Sequence, residues 1–336
     1  VDPKLTPEIS KRLIAEAKFI RAITHFNLLH MFAQPFAFQS GNTPGIPLIL
    51  TSFTGEITFP ARATVAASYA QIQKDLTEAL ADLPAVTTPA SRGRATKGAA
   101  AGFLSRVHLY KGEYQLAADF ANQVISVPAS YSLATNYSFY GATPTSEHVF
   151  AIINSATDNG RTGSGGWASY HRPAANGGRG DCAMSDNLEA SFKKEEVDKR
   201  YVDLSTSVTA ANGQRKRMTT KFMDAANNTD LCPLLRTSEL YLTRAEALAE
   251  LNGINEESIK LVNGIRVRAG LPAWTSTTFT TKVEFVNAIL EERRKELSFE
   301  GHRKMDLQRR GLPLRTSGPQ AALSAFGGQK TALPLP

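Results

Sequence analysis

The sequence predicts an all-α, mainly helical fold, in which pairs of helices form a scaffold that carries irregular, loop-rich insertions and a few short strands. Apolar residues recur at the three- and four-residue spacing of an amphipathic helix near both ends of the chain. Proline and glycine residues end these periodic segments. With 336 residues and a hydrophobic content of 42%, the chain is long enough to bury a substantial core.

The expected helices end at residues that stop a helix. Pro84 and Pro128 close two of them because proline cannot continue a helix, and Gly112 separates two neighbours. On the first helix we expect an apolar stripe to face the core, and this stripe consists of Leu13, Ala17, Ile20, Leu28 and Met31. The expected helices span residues 7–34, 64–83, 96–110, 114–127, 239–251, 256–269 and 282–300.

Residues 110–128, YKGEYQLAADFANQVISVP, resemble the second half of a tetratricopeptide repeat, in which small alanines let paired helices approach closely. A looser copy of this pattern lies at residues 239–269. We therefore expect tetratricopeptide-like helix pairs and three parts within one compact unit. These parts are residues 1–130 and 233–336, which form the helical repeat scaffold, and residues 131–232, which form a loop-rich insertion.

The helical period is lost between residues 131 and 233. Residues 148–153, HVFAII, form a short apolar run that is typical of a buried strand. Residues 157–180 are rich in glycine, asparagine and serine, which favours a loop. The prolines and glycines of residues 35–60 predict a second irregular segment nearer the start of the chain.

Charge and cysteine content exclude several classes of protein. The net charge is +7, but lysines and arginines are scattered among acidic residues, so we expect no nucleic-acid partner. No apolar run approaches the roughly 20 residues that a membrane-spanning helix needs. Cys182 and Cys232 are too few for a disulfide framework, and the sequence leaves open whether they pair.

Common catalytic motifs are absent, including GxSxG, HExxH and the phosphate-binding P-loop. Glu296 and Glu300 lie among arginines, which favours ion pairing over general acid–base chemistry. His302 and Asp306 lie four residues apart, but two ligands alone make no metal site, and the flanking charges favour a salt-bridged helix end. We expect no catalytic residue, no metal site and no cofactor.

The glycine-rich loop is the candidate binding site. Its aromatic side chains suit the apolar face of a sugar ring, and its charged side chains suit peripheral hydroxyl groups. An alternative role for Trp167 is to anchor the loop onto the scaffold. The candidate ligand-binding residues are Trp167, Tyr170, His171, Arg172, Arg179 and Asp181.

Four strings resemble one family, the SusD/RagB outer-surface glycan-binding proteins of Bacteroidetes. They are EAKFIRA at residues 16–22, GAAAGFLSRVHLY at 98–110, RTSELYL with AEA at 236–247, and ERRKEL, FEGHR and DL between 292 and 307. The resemblance spans residues 16–307 and is weakest in the irregular insertion. Its charged anchors, which we expect to form partly buried ion pairs between helices, are Glu16, Arg21, Glu292, Arg293, Glu300 and Arg303.

This resemblance implies a tetratricopeptide-like scaffold whose loops present aromatic side chains to a glycan. It also implies a position on the cell-surface side of the outer membrane, as a lid over a TonB-dependent transporter of the SusC kind. The lipid anchor of the family, and a helical segment ahead of residues 16–22, have no counterpart in this sequence, so we expect membrane attachment only through an anchor outside this chain. Part of the family's binding site belongs to that segment.

Three functions are compatible with these observations. The first is non-catalytic binding of an oligosaccharide or polysaccharide for delivery to the transporter. The alternative is a helical-repeat scaffold whose concave surface binds a peptide or protein partner. A glycosidase would require two carboxyl groups that face each other across a cleft.

Overall fold

The structure is a computed structural model that describes residues 5–86, 88–160, 165–209 and 213–334. The helices are α1 (Pro7–Phe32), α2 (Val65–Asp82), α3 (Lys97–Lys111), α4 (Tyr114–Ile125), α5 (Trp167–His171), α6 (Asp186–Phe192), α7 (Lys199–Val202), α8 (Thr237–Asn252), α9 (Glu256–Arg268), α10 (Lys282–Glu296) and α11 (Arg303–Arg309). The strands are β1 (His148–Ile152), β2 (Ser205–Thr209), β3 (Arg215–Thr219) and β4 (Cys232–Arg236). The mainly helical fold is confirmed.

Threonine and asparagine side chains fix where the long helices begin. The hydroxyl of Thr64 accepts a hydrogen bond from the backbone N–H of Ala67 at 3.0 Å, and Thr96 caps α3 in the same way. At the start of α10, Thr281 and Glu284 satisfy each other's backbone N–H groups in a capping box. None of the described helices is long and apolar enough to cross a membrane.

The strands form two antiparallel pairs, β1 with β4 and β2 with β3. Strand β1 is the one that the sequence predicts, and its first four residues are buried as expected. Its partner β4 and the β2–β3 hairpin were not predicted. Pro233 lies within β4, and the charged run of β3 hides its alternation, so neither segment carries the usual strand pattern.

Contacts group the chain into two compact units. The first unit comprises Val1–Ala85, Ala95–Phe120 and His302–Pro336, and the second comprises Val86–Arg94 and Ala121–Gly301. The three-part division expected from the sequence stays a prediction, because it separates kinds of local structure and these units are defined by contacts.

In the first unit, α1, α2 and α3 bury aromatic side chains against one another. The rings of Phe19 and Phe103 meet edge to face with centroids 5.6 Å apart, and Phe26 packs 5.6 Å from Tyr110. Burying one such side chain contributes about 1.5–3 kcal/mol. A bidentate ion pair joins α1 to α2, with Arg21 Nε and Nη2 at 2.8 and 2.6 Å from the carboxylate of Asp75.

The apolar stripe predicted to face the core on α1 lies on the opposite, solvent-exposed face. Ile20 and Met31 are each 49% exposed, and Leu13, Ala17 and Leu28 are exposed as well. The prediction of the buried face is therefore wrong. The buried face carries the residues that were left out of the stripe, namely Ala15, Phe19, Ala22, Ile23, Phe26 and Leu29.

In the second unit, α8 packs against α9 and α10 through small residues. Ala245 is fully buried, and its carbonyl accepts a hydrogen bond of 2.9 Å from the Ser258 hydroxyl on α9. So close an approach requires a residue without a long side chain at this position, as the repeat pattern predicts. Arg293 on α10 lies 3.4 Å from Glu239 on α8, and both side chains are buried.

A buried ionic network fills the centre of the second unit. Arg236 contacts Glu147, Glu296 and Glu300 at 3.0, 3.2 and 2.7 Å. Arg268 bridges two of these carboxylates, at 3.0 Å from Glu147 and 2.7 Å from Glu296. The network also includes Asp198, Arg200, Lys221, Arg266 and Glu292, which are buried and paired.

These contacts decide the protonation of the network. Burial alone would raise the pKa of Glu300, but Arg236 and Lys221 lower it to about 2. Burial also opposes ionisation of Glu296, whose pKa the surrounding guanidinium groups hold far below its ordinary range. Both carboxylates are therefore ionised, and the ion pairing that the sequence favours is present at Glu296 and Glu300.

The last predicted helix is shorter than expected. Helix α10 ends at Glu296, four residues before the predicted end, and Phe299 takes a left-handed conformation with φ 66°. Gly301, at φ 83°, completes the turn. In α11, which follows, Asp306 lies 2.9 Å from Arg309, so the expected salt-bridged helix end is confirmed.

Candidate functional site

The predicted binding loop is built on the one-turn helix α5. After Gly177, which takes a left-handed φ of 83°, the chain runs back alongside α5. The backbone N–H of Arg179 donates to the Ser169 carbonyl at 2.7 Å, and the N–H of Asp181 donates to the Tyr170 carbonyl at 3.0 Å. Backbone hydrogen bonds therefore hold the return segment in a fixed register against Tyr170.

Three of the predicted residues come together at the surface, and we call Tyr170, Arg179 and Asp181 the Tyr170 cluster. The guanidinium carbon of Arg179 lies 4.7 Å from the centroid of the Tyr170 ring. Its Nη2 lies 2.8 Å from Asp181 Oδ2. The Tyr170 residue is 36% exposed, and the side chains of Arg179 and Asp181 are 42% and 41% exposed. The cluster presents a ring, N–H donors and a carboxylate acceptor to solvent.

Two other predicted residues lie beneath this surface. Trp167 is half-buried, with its ring centroid 5.1 Å from His171 and 5.3 Å from Phe222. His171 is buried, and its Nδ1–H donates to the Trp167 carbonyl at 2.9 Å. Burial lowers the pKa of His171, so this imidazole is neutral at physiological pH. The packing favours the alternative in which Trp167 anchors the loop.

Arg172, the remaining predicted residue, is half-buried at the end of α5. Its buried Nε has no acceptor among the described residues, and neither has the buried indole N–H of Trp167. The structure therefore separates Tyr170, Arg179 and Asp181, which are exposed, from Trp167 and Arg172, which are half-buried, and from His171, which is buried. All six residues stay predictions as ligand-binding residues.

The floor of the loop consists of residues that the sequence did not single out. Phe222 and Phe299 pack against His171 with centroid distances of 5.3 and 5.9 Å. Phe222 directly follows Lys221 in the chain, and Phe299 directly precedes Glu300. These two neighbours belong to the ionic network and contact each other, with Lys221 Nζ 2.7 Å from Glu300 Oε1. Each ring is therefore held next to a fixed point of the network. Phe299 lies in the FEGHR string, which the sequence offered as a family feature and not as part of a site, and Phe222 carried no such signal.

The cysteines offer no reactive group at the site. Cys182 and Cys232 are both free, and burial raises the pKa of each thiol, that of Cys232 to about 11. Among the residues that the structure describes, histidine, cysteine, aspartate and glutamate side chains do not gather in groups of three or more that could hold a metal ion.

Two parts of the chain match known protein families. Residues 209–332 match the SusD family, and residues 2–109 match a family described as starch-binding and associating with the outer membrane. The chain belongs to the SusD/RagB family. The two matches lie on either side of the irregular segment that holds the Tyr170 cluster. The resemblance found in the sequence is also weakest in this segment.

SusD-like relatives match along nearly the whole chain. SusD-like protein P2 of Formosa agariphila is 27% identical over 91% of this chain. A SusD superfamily protein from Bacteroides thetaiotaomicron superposes with a TM-score of 0.80 at 28% identity, covering 94% of this chain and 71% of that protein. Another, from Bacteroides vulgatus, gives 0.80 at 25% identity, covering 98% and 75%. The chain spans 66% of the length of the Formosa relative.

We expect the substitution Gly178→Ala to loosen the binding loop of this SusD-like protein. A Cβ atom at Gly178 would lie 2.1 Å from the carbonyl oxygen of Arg172, which is backbone and cannot turn away. The loop must shift, and the free energy of unfolding should fall by about 1–3 kcal/mol. Urea unfolding followed by intrinsic fluorescence measures the change.

Gly160→Ala provides the matched control, because a Cβ at Gly160 meets nothing within 4 Å. This variant should be as stable as the parent protein or slightly more stable. Equal urea midpoints for the two alanine variants would show that the return segment does not depend on the close approach at Gly178.

Proposed function

We propose that this protein binds an oligosaccharide or polysaccharide without transforming it, at the cell-surface side of the outer membrane, and passes it to a TonB-dependent transporter. Membership of the SusD/RagB family supports this proposal. So does the match of residues 2–109 to a family described as starch-binding and associating with the outer membrane. The proposal includes attachment to the membrane through a lipid anchor.

The observation that carries the proposal is the exposed Tyr170 cluster on its backbone-held loop. Carbohydrate rings pack their apolar faces on aromatic side chains, and their hydroxyl groups exchange hydrogen bonds with charged groups at the edge. Tyr170 supplies the first kind of contact, and Arg179 and Asp181 supply the second. Because hydrogen bonds to α5 already hold the segment that carries Arg179 and Asp181, binding requires little further ordering there.

The carboxylates that the sequence offers as an acid–base pair support a non-catalytic role. A glycosidase needs two carboxyl groups free to face the substrate across a cleft. Glu296 and Glu300 are instead buried and engaged by Arg236 at 3.2 and 2.7 Å. An oligosaccharide cannot reach either group without breaking the ionic network.

Tyr170→Ala tests the site. We expect calorimetric titration of the parent protein with a panel of oligosaccharides to give a weak but measurable dissociation constant for at least one of them. The variant should bind that oligosaccharide about tenfold more weakly, because one stacking contact contributes on the order of 1 kcal/mol or more.

Phe59→Ala is the matched control, since Phe59 is 93% exposed and lies in the first unit. Its affinity should equal that of the parent. Equal affinities for parent and Tyr170→Ala would place the binding site elsewhere, and turnover of the bound oligosaccharide would contradict a non-catalytic role. Co-purification with a TonB-dependent transporter tests the delivery step.

A further inference from the structure

The outermost layer of the Tyr170 cluster is a guanidinium group. Arg179 sits over the face of the Tyr170 ring, with its guanidinium carbon 4.7 Å from the ring centroid. A ligand that approaches this face meets N–H donors before it meets the ring. The chemistry of the first contact is therefore set by Arg179.

Among the residues that the structure describes, Asp181 is the carboxylate partner of Arg179. A guanidinium carries five N–H donors in a planar fork that matches a carboxylate or a sulfate with two parallel bonds. Asp181 uses one such contact, Nη2 to Oδ2 at 2.8 Å. Both side chains are about two-fifths exposed, and ion pairs as open as this add little stability. Another anion can therefore replace Asp181 at small cost.

The backbone conformation brings Asp181 close to Arg179. The two residues flank Gly180, whose φ of 69° belongs to the left-handed region that glycine adopts freely. The N–H groups of Arg179 and Asp181 are each bonded to a carbonyl of α5. The fork and its carboxylate are thus presented together in the absence of a ligand.

The charge of the whole chain acts in the same direction. Its net charge is +7, which draws anionic ligands by long-range attraction at low ionic strength. Within the loop, residues 165–182 hold Arg172 and Arg179 against a single acidic residue, Asp181. The segment itself therefore carries a net positive charge, which favours an anionic ligand.

We propose that the Tyr170 cluster selects an acidic glycan, whose carboxylate or sulfate group takes the Arg179 fork while the sugar ring packs beside Tyr170. The Asp181 carboxylate pairs with the Arg179 guanidinium in the absence of a ligand, and the ligand's anion displaces it. This inference rests on the proposed glycan-binding function. A neutral sugar gains no such exchange, because it would have to move the guanidinium off the ring face to stack there.

The test uses three tetrasaccharides, namely a galacturonate, a sulfated galactan and a neutral galactan. Calorimetric titration of the full chain should show binding of at least one acidic ligand that is about tenfold tighter than binding of the neutral one, the weight of one charge-assisted contact. The two acidic arms distinguish a carboxylate from a sulfate. Added salt should weaken only the acidic binding.

Substitutions then locate the contact. Arg179→Ala should remove most of the acidic preference, and Arg179→Lys should restore little of it because an ammonium cannot form the two parallel bonds. Asp181→Asn should bind the acidic ligand severalfold more tightly, because the competing charge is gone. The control is Arg215→Ala, which removes the same charge from exposed Arg215 on β3, and it should retain the parent's preference.

The outcomes separate this inference from the function on which it rests. Equal binding of neutral and acidic ligands, lost in Tyr170→Ala but kept in Arg179→Ala, overturns the acidic preference and leaves glycan binding intact. Tighter acidic binding that Arg215→Ala reduces as much as Arg179→Ala overturns the assigned contact in favour of net charge. Failure of every oligosaccharide to bind overturns both proposals.

Discussion

Replacing Arg236 with methionine is expected to lower the free energy of unfolding by about 3–5 kcal/mol, the cost of breaking a buried ion pair from one side. Arg236 is almost fully buried and contacts the carboxylates of Glu147, Glu296 and Glu300 at 3.0, 3.2 and 2.7 Å. Methionine fills much of the volume but carries no positive charge, so the three carboxylates lose the partner that they share and repel one another more strongly. The loss should therefore exceed that of an ordinary surface substitution.

Tryptophan fluorescence measures this loss in the right part of the molecule. The chain has two tryptophans, Trp167 and Trp274, and both lie in the second unit with Arg236. Urea unfolding of the parent and of the variant therefore reports the unit that holds the network. Arg215→Met, at an exposed arginine of the same unit, should change the unfolding free energy by less than about 0.5 kcal/mol. An equal fall in the unfolding free energy of both variants would show that the network does not stabilise this unit.

Acid is expected to weaken the same unit between about pH 4.5 and pH 2. In the folded chain the pKa of Glu300 is lowered to about 2, against burial, by Arg236 and Lys221, and Arg266 and Lys295 likewise lower that of Glu195 to about 2. The unfolded chain therefore binds more protons in this range, so stability is fully present above pH 4.5 and is lost as the pH falls towards 2. For Glu300 the loss is on the order of 3 kcal/mol.

Urea midpoints of the fluorescence transition, recorded from pH 6 to pH 2.5, follow this loss. The midpoint should be steady down to about pH 4.5, the ordinary pKa of a glutamate, and then fall steeply. Glu300→Gln should start from a lower midpoint and fall less steeply, because one of the titrating carboxyls is absent. A parent protein whose midpoint is the same at pH 6 and pH 3 would contradict the ionic account.

The positions of the long helices were predictable because local signals determine them. Period, proline and glycine placed α2, α3 and α10 within a few residues, and the caps at Thr64, Thr96 and Thr281 explain their starts. Such signals depend on neighbours along the chain, so they survive without knowledge of the rest of the fold.

The face of α1 was predicted wrongly from the same signals. Apolar residues occur on both sides of this helix, so periodicity offers two candidate stripes. The predicted stripe is interrupted at Thr24, whereas the buried residues Ala15, Phe19, Ala22, Phe26 and Leu29 alternate steps of four and three residues without a gap. The unbroken spacing marked the face whose rings pack against α2 and α3.

The irregular structure of the candidate site was predictable, but the division of its side chains into buried and exposed ones was not. Composition marked residues 157–180 as an irregular, aromatic loop, and chemistry could not tell that Trp167 packs inward while Tyr170 faces solvent. The floor at Phe222 and Phe299 comes from segments far apart in sequence. The partners in the ionic network could not be predicted for the same reason. Glu147 and Lys221 lie in a segment without helical periodicity, and their partners Arg236 and Glu300 are far from them in sequence.

The ionic network has a consequence for how this protein can change over generations. Its charges compensate one another, so a single replacement leaves an opposite charge stranded, and acceptable changes must come in matched sets. Between the loop and this network lie the rings of Phe222 and Phe299, which pack against His171. The side chains of Tyr170, Arg179 and Asp181 can therefore drift freely. The ligand preference proposed for this cluster can therefore change while the buried ionic network is inherited unaltered.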